Sequence, residues 1–288
     1  MTRKTIKSIT PSQLVNMGGH IIDQPLPSDT ISSLDPFLLI HHWKGALVGG
    51  QHPREVGVGP HPHRGFSPVT LIFEGNIVHR DSLGNKATVH EGGTQWMFAG
   101  RGITHSERHE KAYVESGGPL EFIQFWVNAP AKNKMDAPFY KPISKEETPL
   151  IKSDKDEIYV VAGDFEGKEG VAPTFTDQTL LRGSIQRGGK RTIEVPSNHN
   201  SLVYLLDGEL TINDQVARGK DMVVFENEGE NIDFEAIFDT RFIVLSGEPI
   251  GEKIESYGPY VMNNQTQIME AMRDYQIGKM GILIEEFD

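Results

Sequence analysis

Residues 69–75 read VTLIFEG and residues 76–85 read NIVHRDSLGN, and these two runs decide the fold class. The first is a β-branched run that ends on Gly75. The second contains Leu83-Gly84-Asn85, residues that suit the tight turn of a hairpin. Further short runs follow: KATVHEGG (86–93), TQWMFAG (94–100), GITHSER (102–108) and PLEFIQFWVN (119–128). Short strands separated by turns predict a β-sandwich or β-barrel rather than alternating strands and helices.

The second half of the chain repeats this pattern after a stretch that is rich in proline. Residues 129–153 hold four prolines and many charges, which indicates a linker. Beyond it, LLDGELTIND (205–214) resembles IFEGNIVHRD (72–81). We therefore predict an all-β protein with two tandem barrels, an N-terminal one over residues 1–135 and a C-terminal one over residues 136–288.

The end of the chain has a different periodicity. Between residues 264 and 279, four apolar side chains recur at helical spacing: Ile268, Met269, Met272 and Tyr275. Asn264 and Thr266 are candidate N-caps for this segment. We predict a short C-terminal helix whose apolar stripe docks on a barrel.

The composition limits the classes of partner. The sequence has no cysteine, so no disulfide staples the fold and no thiolate binds metal. The net charge of -12 disfavours direct binding to nucleic acid. No apolar run has membrane-spanning length, and residues 1–15 lack the apolar segment of a secretory signal. We expect a cytoplasmic monomer that has neither a membrane nor a nucleic acid as a direct partner.

The 11 histidines are unevenly placed, because only His199 lies beyond residue 110. Adjacent residues on a strand face opposite sides, so at most one of His41 and His42 can point at a given site. Others are expected at the surface: His20, His52 and His109 in polar surroundings, and His79 and His90 beside turns. The remaining three, His61, His63 and His105, are candidates for a shared site.

Two pairs of side chains at i, i+2 spacing form this candidate site. His61 and His63 in GPHPHRGF (59–66) project from the same face of an extended segment, and Pro62 favours that conformation. His105 and Glu107 repeat the spacing in AGRGITHSER (99–108). One such pair is a weak signal, but two pairs within one predicted barrel favour a metal site. Facing strands would bring three imidazoles and one carboxylate to one point.

The ligand set limits the metal and its chemistry. Imidazole and carboxylate ligands with open coordination positions suit non-haem iron(II), while manganese, nickel, copper and zinc stay open as alternatives. Four protein ligands on an octahedral ion leave two positions for a substrate and dioxygen. Glu107 is also a candidate catalytic residue, because a carboxylate beside a metal can accept the proton of a substrate hydroxyl.

Five segments together resemble the pirin family of the cupin superfamily: HPHRGF (61–66), HRDSLGN (79–85), GGTQWMFAGRGITHSE (92–107), GGPLEFIQFWVNAP (117–130) and GPYVMN (258–263). The resemblance implies two cupin barrels, of the double-stranded β-helix or jelly-roll type, with metal in the N-terminal one only. It also implies iron held by His61, His63, His105 and Glu107. At residues 41–42, His-His stands where the resemblance leads us to expect an acidic residue, which bears on the surroundings of the pocket.

The resemblance implies two functions, and a third follows from the ligands alone. A quercetin 2,3-dioxygenase-like oxidoreductase would act on a small phenolic substrate, such as a flavonol, with dioxygen. An iron-dependent, redox-sensing regulator would instead bind a transcription or metabolic protein. A metal that only stabilises the fold is the third. We rank the enzyme first, because open coordination positions are costly to leave in a purely structural site.

Overall fold

The structure is a computed structural model that describes residues 2–287. Most of the regular structure is β, which confirms the predicted all-β class. Two short α-helices, α1 (Lys111–Ser116) and α2 (Gln265–Gln276), and a 3-10 turn at Pro53–Glu55 complete the regular elements of these residues.

The strands of the first half and of the linker region are β1 (Ile6–Pro11), β2 (Gln13–Met17), β3 (His20–Leu26), β4 (Phe37–Leu47), β5 (Val58–His63), β6 (Phe66–Glu74), β7 (Asn76–Asp81), β8 (Lys86–His90), β9 (Thr94–Phe98), β10 (Ile103–Arg108), β11 (Gly118–Asn128), β12 (Phe139–Ile143) and β13 (Leu150–Lys152). Those that follow are β14 (Asp156–Ala162), β15 (Asp164–Phe165), β16 (Lys168–Glu169), β17 (Gln178–Ile185), β18 (Lys190–Glu194), β19 (Asn200–Asp207), β20 (Glu209–Ile212), β21 (Gln215–Arg218), β22 (Asp221–Phe225), β23 (Asn231–Ala236), β24 (Thr240–Gly247), β25 (Glu255–Tyr257) and β26 (Tyr260–Met262).

The chain folds into two compact units, each built from two separated segments. We call them the histidine-rich unit (residues 42–145 and 251–288) and the histidine-poor unit (residues 1–41 and 146–250). The predicted domains, 1–135 and 136–288, are continuous stretches, whereas each unit combines a segment from either half of the chain. A hydrophobic pattern predicts a strand but not the sheet that the strand joins. The pattern alone therefore cannot assign residues 1–41 and 251–288 to one unit or the other.

Two sheets form the histidine-rich unit. One has the strand order β5-β10-β7-β8, and the other has the order β12-β9-β6-β11 followed by the part of β4 that belongs to this unit. All the strand pairs recorded for these two sheets are antiparallel. Apolar side chains of both sheets pack together at Ile72, Ile77 and Val89.

The histidine-poor unit has the same architecture with an apolar interior. Its sheets have the orders β1-β22-β19-β24-β17-β14-β13 and β18-β23-β20-β21, and β2-β3 and β15-β16 form hairpins. The two larger sheets share one core cluster, which includes Leu205, Phe225, Phe242, Ile232 and Phe234. Two barrels are therefore present, as the repeated strand pattern predicts.

The stretch predicted to be a linker contains regular structure. Residues 139–143 form β12, which pairs with β9, and residues 150–152 form β13. The expectation of a linker is wrong here because prolines are tolerated on edge strands, and β12 lies at the edge of its sheet with Pro142 opposite Gln95.

The C-terminal helix is present, but its buried face differs from the predicted stripe. Helix α2 begins after Asn264, whose side chain accepts a hydrogen bond from the Gln267 amide at 3.0 Å. Its buried residues are Ile268, Ala271 and Asp274, whereas Met269 is 66% exposed. A charged residue thus takes a position on the packed face, because Asp274 has a cationic partner there. Within residues 2–287, neither helix has the length and apolar character that crossing a membrane requires.

Candidate metal centre

Strands β5 and β10 bring three imidazoles together inside the histidine-rich unit. His61 and His63 lie on β5, which pairs antiparallel with β10 so that His105 is directly opposite His61. One ligand atom from each ring lies within 4.8 Å of those of the other two. The structure therefore brings these three predicted ligands together, and their binding of a metal stays a prediction.

The local sequence explains why β5 can present both histidines. Side chains two apart on a strand share a face, and Pro62 between them lacks an amide hydrogen. Because β5 lies at the edge of its sheet, that missing donor leaves the adjoining ladder intact. After His63 the chain turns at Gly65, where φ is +89° and a Cβ atom would lie 2.0 Å from the carbonyl oxygen of Val261. Only glycine fits this turn.

Hydrogen bonds leave one nitrogen of each ring available to a metal. His61 donates its Nδ1 hydrogen to the carbonyl oxygen of Gly59 at 2.8 Å, and His63 donates its own to the carbonyl oxygen of Pro259 at 3.3 Å. A carbonyl only accepts, so the proton of each neutral ring lies on Nδ1 and the lone pair lies on Nε2. The GPYVMN segment (258–263) thus contributes a residue, Pro259, that sequence analysis did not place at the site.

The third ring gives the strongest sign that a ligand belongs here. His105 is 2% exposed, its Nδ1 lies 3.4 Å from Nδ1 of His79, and its Nε2 is buried with no hydrogen-bond partner among residues 2–287. A buried polar atom without a partner costs free energy unless something binds it. A metal ion held by His61, His63 and His105 would satisfy this atom, so the donor set fits a metal of the kind that imidazole binds.

The electrostatic surroundings keep two of the candidate ligands, His63 and His105, neutral. Burial lowers the pKa of His63 and the pKa of His105 well below the ordinary histidine value, and the positive charge of a protonated His61 would lower both pKa values further. Both rings are therefore neutral near pH 7. Neutral imidazole is the form that coordinates metal.

Glu107, the fourth predicted ligand, points into the same barrel and is held by neighbours on the opposite sheet. Gln124 donates its Nε2 hydrogens to both carboxylate oxygens at 3.0 and 3.3 Å, and Thr70 donates to one of them at 3.4 Å. Trp126 donates in turn to Gln124 at 3.3 Å. The group of ligand atoms within 4.8 Å of one another contains the three histidines and not Glu107. Its role as a ligand or as a base therefore stays a prediction.

Two histidines that we expected at the surface are buried. His79 is 1% exposed, and its ring stacks on Tyr140 at a centroid distance of 3.6 Å. His109 is 7% exposed and donates to the carbonyl oxygen of Asn76 at 2.6 Å. The prediction fails for His79 because Tyr140, which covers it, belongs to the stretch interpreted as a linker. His20, His52 and His90 are exposed as expected.

Asp81 lies two residues beyond His79 on β7 and is 3% exposed. Its Oδ2 atom is 2.9 Å from Nε2 of His79. Burial raises the pKa of Asp81, but hydrogen bonds from His79 and Asn85 outweigh this effect, so that the pKa lies below its usual value. The carboxylate is therefore ionised near neutral pH.

Aromatic side chains flank the three histidines. Phe66 packs edge-on against His63 at 5.1 Å, and Trp126 does so at 5.5 Å. Trp43 and Phe122, both half-buried, stack on each other at 5.7 Å in the same unit. Trp96 and Met97 are buried, as expected for core residues.

The remaining candidates have structural partners. Arg64 donates to Asp274 at 3.0 Å and to the carbonyl oxygen of Arg101 at 2.7 Å, so it pairs with an acid. His41 lies 2.9 Å from Gln24, and His42 lies 3.0 Å from the buried carboxylate of Glu121. The two adjacent histidines thus meet different neighbours, as expected for successive residues of one strand.

Two antiparallel β-barrels, one with an apolar core and one enclosing a histidine cluster, define a two-domain cupin. A family model described as Pirin matches residues 19–127, and one described as the Pirin C-terminal cupin domain matches residues 180–281. The chain belongs to the pirin family.

Named relatives cover nearly the whole chain. Pirin-1 of Arabidopsis thaliana is 34% identical over 275 residues, which are 93% of this chain and 88% of that protein. Pirin of Mus musculus is 31% identical over 283 residues, 96% of this chain and 93% of that protein. A crystal structure described as quercetin 2,3-dioxygenase from Acinetobacter baumannii is 35% identical, covers 98% of this chain and 100% of its own, and superposes with a TM-score of 0.92.

Proposed function

We propose that this chain is a metal-dependent dioxygenase that acts on a flavonol or a related phenolic compound, with iron(II) as its metal. The observation that carries the proposal is the convergence of three imidazoles whose Nε2 atoms are available, one of them buried without a partner. Three imidazole nitrogens, with the carboxylate of Glu107 in the same barrel, form a donor set that suits non-haem iron.

The residues of the barrel have separate roles in this proposal. His61, His63 and His105 hold the ion, and Glu107 is proposed as the fourth ligand. Bound iron(II) supplies the redox chemistry with dioxygen and a Lewis acid for the substrate oxygen. A carboxylate oxygen of Glu107 accepts the proton of the substrate hydroxyl, and Gln124 holds that carboxylate through two hydrogen bonds.

The aromatic side chains support the substrate class. Phe66 and Trp126 pack beside His63, and the partly exposed face of Trp126 is a surface on which the flat rings of a flavonol can stack. The Acinetobacter baumannii relative is described as a quercetin 2,3-dioxygenase, and we extend that activity to this chain as part of the proposal.

Metal analysis followed by oxygen uptake tests the proposal. Iron-loaded protein with quercetin should consume dioxygen, and His61→Ala and Glu107→Gln should abolish turnover. His90→Ala is the matched control, because His90 is an exposed histidine on β8, a strand of the same sheet. The proposal fails if no loaded metal gives oxygen uptake or a spectral change on anaerobic addition of quercetin. A metal that binds reversibly without turnover would favour the redox-sensing regulator instead.

A further inference from the structure

The hairpin HRDSLGN (79–85) has a role that the proposed reaction does not use. Its Asp81 carboxylate accepts hydrogen bonds from the turn that follows: Oδ1 from the Leu83 amide at 2.9 Å and the Asn85 amide at 3.1 Å, and Oδ2 from Nδ2 of Asn85 at 2.8 Å. Each of these three partners is a donor. The carboxylate thus fixes the turn, and the turn fixes the carboxylate.

This carboxylate also decides where the proton of His79 lies. Nε2 of His79 is 2.9 Å from Oδ2 of Asp81. Because an ionised carboxylate only accepts, His79 donates from Nε2, and in the neutral ring its Nδ1 carries the lone pair.

The position of the His79 proton in turn decides the position of the His105 proton. Nδ1 of His79 faces Nδ1 of His105 at 3.4 Å, and two such atoms attract only if one donates and the other accepts. With the lone pair on His79, the donor is His105. Its proton therefore lies on Nδ1, and its lone pair lies on Nε2, the buried atom that has no partner among residues 2–287.

We propose that Asp81 and His79 are positioning residues that hold His105 in the tautomer and orientation that bind the metal. The proposal rests on the proposed function only in assuming that the three histidines bind a metal ion. A metal-ligating histidine usually donates its other ring N–H to a carboxylate or a carbonyl oxygen. Here a second histidine, His79, stands between the metal-binding His105 and the carboxylate of Asp81.

Packing makes this arrangement rigid. His79 and Asp81 are 1% and 3% exposed, and the His79 ring lies parallel to Tyr140 with an interplanar angle of 3°. Tyr140 is itself fixed by donating its hydroxyl hydrogen to Gln95 at 3.0 Å. The His79 ring is thus confined in its plane, and only the placement of its proton is left for Asp81 to decide.

His105 differs from the other two ligands in this respect. His61 and His63 donate to backbone carbonyl oxygens, which can only accept a hydrogen bond. His105 faces an imidazole, which can act as donor or acceptor. Its metal-binding tautomer therefore depends on a side chain, and a substitution at Asp81 or His79 should affect this ligand selectively.

The test uses three variants of the full chain and one control. Asp81→Asn places an amide hydrogen against Nε2 of His79, so the His79 proton should move to Nδ1 and the His105 proton to Nε2. His79→Phe keeps a ring to stack on Tyr140 but removes both hydrogen bonds. His79→Asn puts an amide oxygen near the former Nδ1 position, where it can still accept from His105. His90→Phe, on an exposed position of β8, is the control.

Two measurements give independent results. Long-range ¹⁵N–¹H spectra of metal-free protein report which nitrogen of each histidine carries the proton, and competition against a chelator gives the affinity for Co²⁺. We expect the Nδ1–H form of His105 in the unsubstituted protein and in His79→Asn, and the Nε2–H form in Asp81→Asn. Affinity should fall roughly 10- to 100-fold in Asp81→Asn and His79→Phe. It should change far less in His79→Asn and not at all in His90→Phe.

The outcomes separate this inference from the proposed function. An Nε2–H form of His105 in the unsubstituted protein overturns the inference, and so does unchanged Co²⁺ affinity in both Asp81→Asn and His79→Phe. Protein that binds Co²⁺ as expected but never consumes dioxygen overturns the proposed function alone. Thermal melting of the metal-free variants identifies any that fail to fold. The tautomer of His105 in His79→Asn then decides, because the Nε2–H form in that variant would also overturn the inference.

Discussion

The Nδ1 atom of His63 lies 3.3 Å from the carbonyl oxygen of Pro259, a residue 196 positions further along the chain. The segment that carries Pro259 runs beside Arg64 and Gly65, where the Val261 amide donates to the Arg64 carbonyl oxygen at 3.0 Å. The orientation of His63, a proposed metal ligand near the start of the histidine-rich unit, therefore depends on a turn near its end.

Gly65→Ala should disturb this contact. The substitution combines strain at a φ of +89° with a methyl group 2.0 Å from the Val261 carbonyl oxygen. Strain costs about 1–2 kcal/mol and overpacking adds about 1–3 kcal/mol. We expect a lower free energy of unfolding in urea and weaker metal binding, since the Pro259 carbonyl oxygen is pushed away from His63.

Gly19→Ala is the matched control for that prediction. Gly19 has a φ of +94° and nothing within 4 Å of the added methyl group, so only the strain remains. Metal affinity should be unchanged in this variant. Equal losses of stability in the two variants would show that the close approach to Val261 has no energetic effect.

Gln124→Met should lower the oxygen-uptake rate while leaving the fold intact. Methionine has a similar volume, but it cannot donate to the Glu107 carboxylate or accept from Trp126. Losing a partner that orients a residue at a metal site typically costs roughly 10- to 100-fold in activity. The exposed Gln186→Met serves as the control. A full rate in Gln124→Met would mean that Glu107 needs no orientation.

Asp274→Leu should destabilise the protein far more than Lys279→Met. Arg64 is 4% exposed and loses its carboxylate partner in the first variant, a change that typically costs about 3–5 kcal/mol at a buried pair. Lys279 contacts the same carboxylate at 3.1 Å, but its side chain is 58% exposed, so its loss should cost less than about 1 kcal/mol. Urea unfolding of both variants measures the difference, and similar costs would contradict the assignment of Arg64 as the principal partner.

Acid should destabilise the metal-free protein partly through His41. Burial lowers the pKa of His41 from 6.5 to about 4. Between these values the unfolded chain binds a proton that the native state does not, so the free energy of unfolding falls as the pH falls. The contribution from His41 is about 3 kcal/mol in total, and most of it is lost between about pH 6.5 and pH 4.

His41→Gln isolates this contribution. Other buried histidines with a lowered pKa, such as His63 and His105, add to the slope in both proteins. The difference between the two slopes from pH 7 to pH 4 belongs to His41. Parallel slopes would mean that the ring is accessible to protons in the native state.

The convergence of three histidines could be predicted because a local rule decides it. Strand alternation puts His61 and His63 on one face, and antiparallel pairing sets His105 opposite His61. Glycine and turn residues likewise predicted the strands and hairpins of both barrels. These inferences use only the local sequence around each strand and turn.

His79, Pro259 and the packed face of α2 could not be predicted in this way. His79 and His90 look alike in sequence, and only the ring of Tyr140, some 60 residues after His79, buries one of them. The Pro259 contact joins two distant segments, and Asp274 lies on a packed face because Arg64 meets it there. Each of these features depends on a long-range contact that no hydrophobic period encodes.

The discontinuity of the histidine-rich unit has a consequence for synthesis on the ribosome. Residues 42–145, which carry the three proposed metal ligands, emerge well before residues 251–288, which complete the same unit. At about 5–20 residues per second, the interval is roughly 5 to 20 seconds. During that time the nascent chain has the three histidines but lacks the carbonyl oxygen that accepts the hydrogen bond of His63. If these histidines bind a metal as proposed, its capture in the final geometry requires residues 251–288 as well as residues 42–145.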